Sequence, residues 1–145
     1  LKKNNKINMR DIKFRAWDKA TNEMLFEWDT QGWGHDLLNP FEGANFTRME
    51  IMQHVGLKDK NGKEIYEGDI VSFKSRFEGD EYSRWGEVVF GKATYDSGVY
   101  STQGYYITRI KSNQEYYDDD EDGSSGWLFE CEVIGNIYEN PELLK

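Results

Sequence analysis

The chain has one cysteine, two prolines and two histidines in 145 residues, and it contains no long apolar run. A lone Cys131 excludes an internal disulfide framework. No stretch approaches the roughly 20 apolar residues that span a bilayer as a helix, so no membrane span is expected. Basic side chains are also in deficit: 18 Lys and Arg against 27 Asp and Glu give a formal net charge of −9. Proteins that bind nucleic acid regardless of sequence gain affinity by neutralising phosphates with Lys and Arg. Direct nucleic-acid binding is therefore not expected, and the same charge disfavours anionic membrane surfaces. The basic, polar opening, residues 1–8, carries no apolar run of the kind a secretory leader needs, and it is read as an extension upstream of the fold. A cytoplasmic setting follows from these readings.

What is present is aromatic and turn-rich. Only 37% of residues are apolar, but they include 5 Trp, 9 Tyr and 8 Phe, and large rings bury much area per residue. A chain of this length buries about 68–70% of its unfolded surface as one compact fold, so no disulfide or metal is needed to hold it. With 14 glycines and few prolines, tight turns between ordered strands are expected rather than a proline-rich linker.

Alternation of apolar and polar residues predicts a strand over residues 11–17, with Ile12, Phe14 and Ala16 on the apolar face and Lys13, Arg15 and Trp17 on the other. Met24, Phe26 and Trp28 alternate after a polar turn, which makes the pair a hairpin. Residues 30–45 read as a loop, and 47–55 as a strand. Asn61-Gly62 is the strongest turn signal, since the dipeptide tolerates positive φ; Lys60 and Lys63 beside it should face solvent. Further strands are predicted over 70–73, 86–90, 94–100, 105–111 and 127–133, with a last short one over 134–138. Asn140 as cap followed by Pro141 predicts one turn of helix at the C-terminal end. Many short strands between turn signals point to a mostly β fold, a small barrel or roll, with a boundary near Gly56.

Three stretches resemble the YopX family of phage and prophage proteins. The first is Met9-Arg10-Asp11-Ile12-Lys13-Phe14-Arg15-Ala16-Trp17-Asp18. The second runs from Gly56 to Val71 through Asp59, Asn61-Gly62, Tyr66, Gly68 and Asp69. The third runs from Glu132 to Leu143 through Gly135-Asn136-Ile137-Tyr138 and Asn140-Pro141. The resemblance implies an N-terminal β element over residues 9–55, an SH3-like barrel or roll over 56–145, and a phage or prophage origin. It implies no catalytic residues. The motifs also have a structural reading, with Gly62 and Gly68 in turns and Ile65, Ile70 and Val71 in the core.

Candidate chemistry is sparse. Asp118-x-Asp120-x-Asp122-Gly123 matches the first half of an EF-hand loop, but Phe129 stands where the bidentate twelfth-position Glu belongs, with Glu130 one place late. Five successive acids read more simply as a solvated loop that binds no calcium. His35 and His54 lack the close spacing of a zinc pair; the one reads as a loop residue and the other as a strand surface residue. Cys131, between Glu130 and Glu132, reads as a core strand residue whose acidic neighbours disfavour a thiolate. No catalytic, cofactor or metal residue is assigned. Tyr95, Tyr100, Tyr105, Tyr106, Tyr116 and Tyr117 crowd one region, and adjacent rings in a strand cannot share a core, which favours exposed rings at a protein contact. The expectation is a non-enzymatic interaction module, self-associating, with its protein partner unidentified. Alternatives are an acidic mimic of nucleic acid that blocks a host DNA-binding protein, or a small metal-dependent hydrolase.

Overall fold

The computed structural model describes residues 12–26, 48–74, 83–95, 100–112, 128 and 130–145. Among them are eight strands: β1 (Phe14–Asp18), β2 (Glu23–Leu25), β3 (Met49–Lys58), β4 (Glu64–Tyr66), β5 (Asp69–Lys74), β6 (Ser83–Tyr95), β7 (Tyr100–Ser112) and β8 (Glu132–Asn136). A single 3-10 turn, Pro141–Leu144, follows. The strands form two antiparallel sheets, in the orders β2-β1-β3-β4 and β7-β6-β5-β8. The fold is thus mostly β, an N-terminal hairpin followed by a curled half-barrel.

Local chemistry sets the turns. The β1–β2 hairpin closes where Asn22 adopts φ 56 and donates its N–H to the Asp18 carbonyl at 2.8 Å. Asn61-Gly62 does turn the chain between β3 and β4, with Gly62 at φ 85, and Lys60 and Lys63 are exposed as expected. Gly68, at φ 75, makes the tight turn from β4 into β5. Gly56, also at φ 85, lies inside β3. Residues 49–53 of that strand pair with β1, and its far end, from His54 to Lys58, pairs with β4 across a register shift.

The main core gathers Val55 and Ile65 from the first sheet with Val71, Phe73, Val88, Ile107, Leu128, Cys131 and Val133. A second cluster of Trp17, Met52 and Tyr66, with Met24 and Tyr138 against it, seats the hairpin.

Several sequence expectations change. The strand β1 turns over: Arg15 and Trp17 are buried, whereas Ile12 is 69% and Phe14 37% exposed, and only Ala16 of the expected apolar face is buried. Arg15 goes inward because an acid and a ring await it there. His54 is buried rather than a surface residue, for a similar reason: a ring and a carbonyl receive it. The strand expected over 127–133 begins later, at Glu132, and takes in Ile134 as part of the same element, so that Cys131 lies in the core one residue before it. Of the strand expected over 94–100, Thr94 and Tyr95 belong to β6 and Tyr100 to β7, while 96–99 lie outside the described residues, and both strands are far longer than their local patterns suggested. Asn140 stands at the cap position of the 3-10 turn, yet its side chain makes no capping bond; its Oδ1 instead accepts from the Asn136 N–H at 3.4 Å. Residues 1–8, the 30–45 loop, Trp28, His35, Tyr116, Tyr117, the acidic run 118–122 and Trp127 lie outside the described residues.

Candidate functional site

The three stretches that carried the resemblance meet in one buried seam between hairpin and barrel. Arg15 enters from β1, in the interior of the first sheet. Its Nη2 donates to Asp69 Oδ1 at 2.6 Å, with both side chains almost wholly buried. The guanidinium also lies 4.8 Å from the centre of the Tyr66 ring, a geometry in which a cation is attracted to the ring face. Asp69 Oδ2 accepts from the Tyr66 N–H at 2.8 Å. One carboxylate thereby closes the β4–β5 turn and ties it to β1. The backbone of Gly68, at the same turn, donates to the Val88 carbonyl at 2.8 Å and accepts from the Ile137 N–H at 2.9 Å. A glycine is favoured at this crossing by its positive φ, while a Cβ there would meet Ile137 only at 3.4 Å.

The seam continues outward through Tyr66. Its hydroxyl donates to Glu64 Oε2 at 2.9 Å, and Glu64 Oε1 accepts from Lys13 Nζ at 2.5 Å. His54 packs against the Tyr66 ring at 5.2 Å and donates from Nε2 to the Leu57 carbonyl at 3.2 Å. Trp17 stacks on Tyr138 from the third stretch.

Two further knots fasten the barrel. Asp59, buried at the start of the Asn61-Gly62 turn, accepts from Asn61 N–H at 2.8 Å and Lys63 N–H at 2.9 Å through Oδ1, and from Val133 N–H at 3.0 Å through Oδ2. It both shapes the turn and pins it to β8. Asn136 Oδ1 accepts from the N–H groups of Tyr138 and Glu139 at 3.0 and 2.9 Å, while its amide donates to Glu139. At the mouth of the hairpin, Asp18 takes both Nε and Nη2 of Arg48 and the N–H of Ala20. The hydrogen bond from Arg48 holds the Asp18 carboxyl far below the usual carboxylate range, against the smaller opposing effect of burial.

Burial and neighbouring charge set the electrostatics of the seam. Burial pushes the Asp69 carboxyl up, against the pull of Arg15 and of the Tyr66 N–H. Burial, then the Glu64 carboxylate, pushes the Tyr66 phenol up to about 12. Burial, reinforced by the charge of Asp59, pushes the Cys131 thiol up to about 11. At neutral pH both are protonated, and neither presents an anionic nucleophile. The reading of Cys131 as a core residue in acidic surroundings therefore stands. Among the described residues, no group of three or more His, Cys, Asp and Glu is placed to hold a metal ion. No helix among them is long and apolar enough to cross a membrane.

Sequence reasoning singled out the three stretches but missed what they share. The available signal was an arginine flanked by apolar residues in β1 and a tyrosine three positions before an aspartate. Of the tyrosine cluster, the side chains of Tyr105 and Tyr106 are described, and these two divide as strand alternation requires. Tyr105 packs toward the main core and meets Phe90 edge-on at 5.1 Å, while the Tyr106 ring covers Gly91.

The crystal structure of protein EF1440 from Enterococcus faecalis is similar to this chain, with a TM-score of 0.52 at 24% identity over 94% of this chain and all of that one. At that identity the likeness speaks for the fold. No curated protein sequence matches the chain. The family described as YopX protein matches residues 13–145, from the strand that carries Arg15 to the last residue, and the chain belongs to the YopX family.

Proposed function

We propose that this protein is a phage- or prophage-encoded, non-enzymatic protein-interaction module that works in the host cytoplasm and associates with itself. The observation that carries the reading is the orientation of its chemistry. Arg15, Asp59, Asp69 and Asn136 of the family stretches are buried and bonded within the protein, whereas Ile12, Phe14, Phe26, Ile51, Phe90 and Ile134 leave apolar surface outside. Phe14 and Ile51 stand on one face of the first sheet, since Ala16 pairs with Ile51 and shares the face of Phe14. Exposed apolar and aromatic surface is what a binding protein offers a partner.

Sedimentation of the full chain at several protein and salt concentrations tests this. A net charge of −9 opposes association at low salt, and the repulsion is screened within about 8–10 Å at ordinary ionic strength. A contact made largely of rings persists or strengthens as salt rises. A strictly monomeric mass throughout the micromolar range defeats the reading.

A further inference from the structure

Asn61-Gly62 is the only Asn-Gly pair in the chain, and both residues are exposed at the tip of the β3–β4 hairpin. The pair has a reactivity of its own. The backbone nitrogen that follows an asparagine can attack that side chain's Cγ and close a succinimide ring. A side chain on the following residue would crowd the attack. Glycine offers none, and the space beside Gly62 is open.

The folded turn holds the reacting nitrogen elsewhere. Gly62 N–H donates to the Asp59 carbonyl at 2.9 Å, and Asp59 N–H donates to the Lys63 carbonyl at 2.8 Å. The Asp59 carboxylate takes the N–H groups of Asn61 and Lys63 on Oδ1 and that of Val133 on Oδ2. Lys60 N–H reaches the Cys131 carbonyl at 3.0 Å. Every backbone N–H from Asp59 to Lys63 is thus engaged. To meet Asn61 Cγ, the peptide between Asn61 and Gly62 must rotate and give up its bond to Asp59. The turn has to open first.

We propose that Asn61 is a site of spontaneous conversion to aspartyl and isoaspartyl residues, latched in the folded barrel by Asp59 and released when the β3–β4 turn opens. The Gly62 nitrogen gives its proton to solvent base and attacks Asn61 Cγ. The N–Cγ bond forms, the Cγ–Nδ2 bond breaks, and Nδ2 leaves as ammonia with a proton from water. Water then opens the ring. Cleavage of the new N–Cγ bond leaves aspartate, whereas cleavage of the original peptide bond leaves isoaspartate, with the chain running through Cβ and Cγ. Nothing is oxidised or reduced. Either product sets a new carboxylate two positions from Asp59, and isoaspartate lengthens the backbone of a turn whose span the Asp59–Lys63 bond fixes. The conversion is therefore a one-way loosening of the turn's link to Val133. It is independent of the self-association proposed above.

The test incubates the full native chain in neutral buffer, folded and, in parallel, unfolded in urea. Conversion at Asn61 is followed by peptide mapping with mass spectrometry, and hydrogen exchange of the Gly62 amide is measured on the folded protein. Where opening is fast relative to the chemistry, the rate follows the open population. Folding is therefore expected to slow conversion by about the same factor as it slows Gly62 exchange. Asp59→Asn, shown to be folded by far-UV circular dichroism, is expected to convert about tenfold faster than the native protein or more, because it loses bonds that close the turn. Gly62→Ala is expected to convert slowly even in urea. Conversion as fast in the folded protein as in urea, or no faster in folded Asp59→Asn than in the native chain, overturns the latch. Absence of conversion at Asn61 in urea overturns the site itself.

Discussion

Trp17 and Tyr138 stack with ring centroids 5.7 Å apart and planes only 12° from parallel. The contact joins the first strand of the hairpin to the turn after β8, so residues near opposite ends of the chain close the second cluster together. Aromatic pairs of this kind contribute about 0.5–1.5 kcal/mol beyond their buried area. A double-mutant cycle with Trp17→Leu and Tyr138→Leu, read by urea unfolding, should return a coupling of about that size. A coupling near zero would mean that the hairpin is not anchored through these rings.

Asp59 should make the barrel acid-sensitive. Burial raises its carboxyl, but the N–H groups of Val133, Lys63 and Asn61 together outweigh that and hold it below the usual value. A carboxyl lowered in the folded state stabilises the fold fully above its unfolded value, and that stability is lost as pH falls through the folded one. The loss therefore begins below about pH 4. Asp59→Asn should be less stable than the native protein at pH 7, by about 1–3 kcal/mol for the N–H bonds it cannot replace. The gap should narrow between pH 4 and pH 2 in thermal melts. A gap that stays constant over that range contradicts the assignment.

Much of this architecture was legible in the sequence, and the reasons differ by element. Asn61-Gly62 declared its turn because the requirement for positive φ is local. The strands announced themselves by alternation. The burial of Arg15 was invisible for the opposite reason: its partner Asp69 lies 54 positions away, and a pattern rule that sends charge outward has no access to a distant acid. His54 is buried against the Tyr66 ring twelve positions on, which alternation alone does not show. The length of β6 and β7 was missed because Gly91 and Gly104 look like strand stops, whereas in the ladder they face each other and interrupt nothing. Asn140 was correctly placed at the turn, but its side chain serves Asn136 rather than the turn itself.

Glycines separate backbone strain from crowding. At Gly62, φ 85 disfavours a side chain but the space is open, so Gly62→Ala should cost about 1–2 kcal/mol of strain. At Gly86, a Cβ would meet the Thr108 carbonyl oxygen and the Ile107 side chain, each at 2.6 Å. The β6–β7 ladder would have to part, and backbone cannot yield as a flexible side chain does. Gly86→Ala should therefore destabilise more than Gly62→Ala in denaturant titrations. The reverse order would contradict the packing described for this ladder.

The claim that the seam holds the fold while the surface carries the function is tested most directly at Arg15 and Asp69. Arg15→Met alone leaves a buried carboxylate without its cation and should cost about 3–5 kcal/mol. Adding Asp69→Asn removes that charge while keeping an acceptor for the Tyr66 N–H, so most of the loss should be recovered. The decisive measurement is sedimentation of the folded double variant beside the native protein. The account predicts the same concentration dependence of mass for both. A double variant that folds cooperatively yet no longer associates would place the seam within the binding site and contradict the account.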